Sequence, residues 1–206
     1  MFPFLGTRNG RIIASALTAI ALLAIGFGAG LLTRPGTPGD DSADAGFARD
    51  MSTHHAQAVE MGMIAFQKAS LPEVRTLGGD IALTQKGQIG VMSTWLKDWG
   101  LDVNTTRAPM SWMPNGQAEL VNNLMPGMAT REEVAKLNSA TGKQVDILFC
   151  QYMLRHHLGG IHMVDDVLAQ HPRPEVAELA QTMKQNQTAE VSVLRTLLTQ
   201  LGAQPL

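Results

Sequence analysis

One feature of the 206-residue sequence restricts its fold more than any other: a single pattern occurs twice, at a constant offset of 102 residues. His54-His55 returns as His156-His157, Phe47 as Phe149, Met51 as Met153 and Met61 as Met163. Downstream, Pro72-Glu73-Val74 returns as Pro174-Glu175-Val176, Gln85 as Gln187 and Gly100 as Gly202. The register holds without a gap. The chain is therefore two copies of one unit, residues 45–100 and 147–202, joined by an insert over 101–142.

Each copy reads as a helical hairpin. Helices are predicted over 44–69 and 72–99, and again over 143–170 and 174–201. Pro72 and Pro174 each stand at a first-turn position with a glutamate beside them, a favourable helix start. No sustained period-2 alternation argues for strands. Two hairpins bury their apolar stripes most economically on each other, so an all-α, up-down four-helix bundle over 45–206 is expected. Within the insert, Thr130 followed by Glu133 is a capping-box pattern and predicts a short helix over 131–139.

Ahead of the repeats, residues 12–32 carry no charge, with Arg8 and Arg11 on their N-terminal flank. At about 1.5 Å per residue this run could span roughly 30 Å of hydrocarbon. A signal-anchor over 1–34 is expected, a single-pass membrane contact that leaves the later residues outside the cytoplasm; a cleaved secretory signal is the alternative. Residues 35–44, with Pro35, Gly36, Pro38 and Gly39, read as a linker. Charge excludes a nucleic-acid surface. There are 16 basic and 18 acidic residues, and three of the bases precede Asp40, so no basic stripe is left to neutralise phosphates. Cys150 is the lone cysteine and can close no internal disulfide.

The chemistry sits in the repeat. At about 100° per residue, Met51, His54, His55 and Met61 fall within one helical sector, and Met153, His156, His157 and Met163 repeat it. His162 points away. On the partner helices Gln85, Gln88 and Met92 share a face, as do Gln187, Glu190 and Leu194. The bundle interior should therefore hold four imidazoles, several thioethers and a few amide or carboxylate groups.

Two readings of the histidines compete. Each could hydrogen-bond Gln85, Gln88, Gln187 or Glu190 across the bundle as a satisfied polar layer, or the imidazoles could ligate a metal, with those groups behind them. Di-iron bundles need Glu-x-x-His motifs and several inward glutamates. Neither motif helix has one, and Glu190 alone projects inward. Imidazole with thioether suits copper, Cu(I) above all. Met51 with His55, and Met153 with His157, are i, i+4 pairs that could meet about a pseudo-twofold as an S2N2 site. The insert's Met110, Met113, Met125 and Met128 are further soft donors or simply flexible core filler, and Cys150 reads as a small buried hydrophobe.

At these residues the sequence resembles the bacterial family named for domain of unknown function 305. The resemblance rests on Phe-x-x-x-Met-x-x-His-His-x-x-x-x-x-Met, present from Phe47 and again from Phe149. It continues through Pro-Glu-Val and through Gln85-x-x-Gln88-Ile89 and Gln187-x-x-Glu190-Val191. Gln88 departs from the glutamate expected there. The resemblance implies a ferritin-like fold and export, and some members are associated with copper. The reading that follows is an exported copper-binding protein that buffers or hands over the ion, with no visible nucleophile–base set for turnover. The alternatives are a metal-dependent oxidoreductase on the same scaffold, or an interaction module whose histidines are structural.

Overall fold

The computed structural model describes residues 8–32 and 36–206. Six helices are found among them: α1 (Arg8–Leu32), α2 (Ala43–Lys68), α3 (Pro72–Asp98), α4 (Arg131–Ser139), α5 (Lys143–Ala169) and α6 (Pro174–Gln200). No strand forms among the described residues beyond an isolated bridge between Val121 and Leu124. The chain divides into two compact units, the second being Pro38–Leu206.

Local chemistry explains the boundaries. Ser42 caps α2, its hydroxyl accepting from the Ala45 amide at 3.2 Å. Pro72 and Pro174 open α3 and α6. Gly142, at φ +56°, turns the chain into α5. The expected capping box opens α4, with the Thr130 hydroxyl on the Glu133 amide and the Glu133 carboxylate on the Thr130 amide.

In the second unit, α2 pairs with α3, α5 pairs with α6, and α2 packs on α5, giving a helical bundle. The α2–α3 approach is close because Gly62 and Gly78 face each other: a Cβ on either would strike the other's carbonyl. α2 and α5 run antiparallel, and a pair of repeat-related aspartates ties their ends. Asp44, at the start of α2, accepts from the Arg173 amide beyond α5 at 3.0 Å. Asp146, at the start of α5, accepts from the Ser70 and Leu71 amides beyond α2 at 2.9 and 3.2 Å. Each carboxylate thereby holds a backbone N–H just before the proline that opens the other hairpin's second helix.

The core forms two apolar clusters. One gathers Met61, Met153, Ile81, Phe149 and Leu194; the other gathers Met51, Met163, Phe47, Met92 and Met183. Met110, Met113 and Met125 of the insert are buried in the second cluster beside Trp112, with Met128 packed against it, so these thioethers fill core volume. Asp50 fastens this part of the insert to α2, accepting from the Met110 amide at 2.7 Å and the Trp112 indole at 2.8 Å.

The expected membrane anchor is not supported. Among the described residues no helix is long and apolar enough to cross a membrane. Of the expected linker, residues 36–39 are irregular; residues 1–7, Thr33 and Arg34 of the expected anchor segment and Pro35 of the linker lie outside the described residues.

Candidate metal centre

The duplicated His-His pairs lie mid-helix on α2 and α5, which pack face to face. His54, His55, His156 and His157 are all 0% exposed, and so are Met51, Met61, Met153 and Met163. His162 is exposed on the opposite face of α5. The rings of His54 and His156 stack with centroids 3.8 Å apart and planes tilted by 34°.

Each of the four imidazoles uses one nitrogen in a hydrogen bond. His55 Nε2 donates to Gln88 Oε1 at 2.8 Å, and the repeat-related His157 Nε2 meets Glu190 Oε2 at 2.6 Å. His54 Nε2 donates to the Pro126 carbonyl at 3.0 Å, and His156 Nε2 to the His54 carbonyl at 3.1 Å. Every partner is an acceptor, so Nε2 carries a proton, and in a neutral ring the Nδ1 lone pair is left bare. All four Nδ1 atoms are buried without a hydrogen-bond partner.

Those nitrogens are not alone. Among the described residues, seven buried side-chain nitrogens and oxygens lack a partner: the four Nδ1 atoms, Gln85 Oε1, and both amide atoms of Gln187. They come from three repeat-related pairs and nowhere else. Leaving one polar atom unsatisfied in a core costs about 1–3 kcal/mol, so a concentration of seven points to a ligand or to water in that layer. Burial also holds three of the rings, His54, His55 and His156, neutral. It pushes His54 down to about 4, offset by the Pro126 carbonyl and deepened by His157. Burial and then the neighbouring His54 push His55 down to about 3, and His156 falls well below the ordinary imidazole value for the same reasons. Neutral imidazole is the ligating form.

The insert closes this layer. Gly159 on α5 lies against the Pro126 carbonyl, and a Cβ there would overlap it. Gly127, at φ +78°, lets the loop turn over α5. Gln57 clamps the loop by exchanging two hydrogen bonds with Ala129, at 2.9 and 2.7 Å. Arg155 grips Glu133 through both of its terminal nitrogens, at 3.0 and 2.5 Å. The sequence pattern flagged the loop's methionines but not its carbonyl, because a backbone acceptor leaves no trace in residue type.

Two expectations are corrected by the packing. Met51 and Met153 lie in separate apolar clusters, so Met51, His55, Met153 and His157 do not assemble as one S2N2 group. Antiparallel α2 and α5 instead place Met51 in one apolar cluster with Met163, and Met61 in the other with Met153. The hydrogen-bonded and ligating readings of the histidines also cease to exclude each other, since each ring spends one nitrogen and keeps one free. Cys150 is buried, its thiol pushed up to about 12 by burial and by Asp146, which makes it inert as a thiolate ligand.

Residues 44–198 match the family model for "Domain of unknown function (DUF305)". The chain belongs to the DUF305 family. It is similar to a DUF305 protein from Streptomyces coelicolor described as secreted, at 41% identity and a TM-score of 0.75, covering 82% of this chain and 99% of that one. A DUF305 fragment from Deinococcus radiodurans matches at 30% identity and a TM-score of 0.63, with the same coverage. The fold is also shared with CopM, whose Cu(I)-bound form is 24% identical with a TM-score of 0.60 over 76% of this chain and 96% of that one. CopM in its Cu(II)-bound form gives 24% and 0.61 over 77% and 97%. No curated protein matches the chain.

Proposed function

We propose that this DUF305 protein works outside the cytoplasm as a copper-binding protein that buffers the ion or passes it on. The observation carrying the proposal is the set of four buried imidazoles, each anchored through Nε2 and each with an Nδ1 that has no hydrogen-bond partner. A histidine ligand ordinarily has this form: one nitrogen is anchored, which fixes the ring and its tautomer, and the other is free for the metal. His54, His55, His156 and His157 would supply nitrogen. The pairs Met51 with Met163 and Met61 with Met153 would supply thioether sulfur from either side. Nitrogen and thioether donors in a dry interior suit copper, and Cu(I) in particular.

The similarity to CopM, solved with Cu(I) and with Cu(II), supports this choice of ion. Export is supported by the Streptomyces relative described as secreted. The four-helix unit at residues 45–206 is proposed as the ferritin-like, metal-binding domain, built from the two repeats and their insert. Water is the other species able to satisfy the orphaned atoms, and a titration separates the two. Full-length protein should take up Cu(I) anaerobically against a chromophoric competitor and gain thermal stability as it does so. The double variant His54→Leu, His156→Leu removes two donors without adding a polar group, and its Cu(I) dissociation constant should rise at least tenfold. Undiminished binding by that variant, or no uptake by the parent, overturns the proposal.

A further inference from the structure

The repeat makes the two halves of the histidine layer comparable residue by residue, and one difference between them is chemical. His55 and His157 are equivalent positions, each fully buried with a bare Nδ1. Their anchors are also equivalent positions, 88 and 190, but one is an amide and the other a carboxylate. His55 leans on Gln88 at 2.8 Å and His157 on Glu190 at 2.6 Å. The contact found for the Glu190 carboxylate among the described residues is the one with His157 Nε2. Its negative charge is thus directed at the ring.

We propose that the two halves bind copper in different oxidation states, the His157–Glu190 half taking Cu(II) and the His55–Gln88 half taking Cu(I). The inference rests on the copper reading above and assigns Glu190 as a positioning residue that acts through His157. Its physical basis is charge. Bringing a dication into a dry core without a counter-charge costs far more than bringing in a monocation. A carboxylate behind a ligating imidazole supplies that counter-charge one ring away and makes the ring a stronger donor. Gln88 fixes the tautomer of His55 equally well but adds no charge. The first half therefore keeps the neutral, soft-donor character that suits Cu(I).

A surface cluster must be removed from the test. Glu119, His162 and Asp166 place three ligand atoms within 4.8 Å of one another and could hold Cu(II) on their own. Every protein in the experiment therefore carries His162→Ala. Cu(II) is followed by electron paramagnetic resonance and competition, Cu(I) by anaerobic competition with bicinchoninate. The parent should bind one ion of each kind, the Cu(II) signal showing imidazole nitrogen coupling. Glu190→Gln should weaken Cu(II) about 10–100-fold, the usual cost of losing an outer carboxylate, and leave Cu(I) within threefold. The potential of that ion should rise by about 59 mV for each tenfold change in the ratio. Gln88→Glu should create a second Cu(II) signal, and Glu190→Asp should restore part of the first.

Cu(II) affinity unchanged within threefold in Glu190→Gln, or no second signal in Gln88→Glu, overturns the assignment while leaving copper binding intact. A parent that binds neither ion overturns the copper reading itself. Should Glu190→Gln fail to fold, Gln88→Glu decides.

Discussion

Acidification should unfold this protein through its histidine layer, and the size of the effect follows from the structure. His54 and His55 are held neutral, their ordinary value of 6.5 lowered to about 4 and about 3, and His156 lies well below 6.5 too. In the unfolded chain each regains a value near 6.5. Between those limits the unfolded state binds protons that the folded state refuses, so stability is complete above pH 6.5 and falls as pH drops towards 4. Each histidine contributes about 1.4 kcal/mol per pH unit across that window, so His54 and His55 together give a slope of about 3 kcal/mol per unit, and His156 acts in the same direction. At pH 4.5, two units below the unfolded value, the loss from His54 and His55 reaches on the order of 5 kcal/mol, comparable with the whole stability of a marginal domain. Urea unfolding at pH 7.5, 6.5, 5.5 and 4.5, followed by helical circular dichroism, measures it directly. The steep segment should fall between pH 6 and 4.5, with about two or more protons taken up on unfolding. A slope below one proton in that range would mean that the rings are already hydrated and protonated in the folded state. The orphaned Nδ1 atoms would then be satisfied by water, and the argument for a metal would lose its footing.

Other perturbations reach the elements that frame this layer. Gly159→Ala places a methyl where the Pro126 carbonyl sits, so the loop must lift off α5; a cost of about 1–3 kcal/mol in thermal unfolding and faster amide exchange at residues 125–129 are expected, and no change would mean the loop is not packed as described. Asp146→Ala strands the Ser70 and Leu71 amides and the Ser70 hydroxyl and should cost about 3 kcal/mol; Asp44→Ala, which loses the Arg173 amide contact and the attraction of the Arg173 charge at a less buried carboxylate, should cost about 1 kcal/mol. Equal losses in calorimetry would contradict that contrast. Cys150 should resist iodoacetamide at pH 8 in the folded protein and react within minutes in 6 M guanidinium; quick labelling of native protein would show that the α5 core opens.

Much of this architecture was legible because the chain says it twice. A constant offset and a proline at the start of each return helix were enough to set four helices within a residue or two of their observed ends. Thr130 and Glu133 likewise announced α4. The inward sector of the motif was readable for the same reason: helical periodicity alone decides which side chains share a face. What could not be read was pairing across helices. The wheel placed Met51 and Met153 on equivalent faces, yet equivalence under a twofold is not contact. Once α2 and α5 run antiparallel, equivalent residues separate and early meets late. The aspartate clasp of Asp44 and Asp146 escaped notice because its partners are backbone amides more than 70 residues away.

The residues themselves thus determined the helices, their number in each repeat, the side on which nitrogen and sulfur lie, and the one asymmetry between Gln88 and Glu190. These are local or periodic properties, set within a few turns of one chain segment. Tertiary structure alone decided which nitrogen of each ring is spent and which is bare. That depends on acceptors supplied by a neighbouring helix, by the Pro126 carbonyl of the insert and by the His54 carbonyl, all brought there by packing across the bundle.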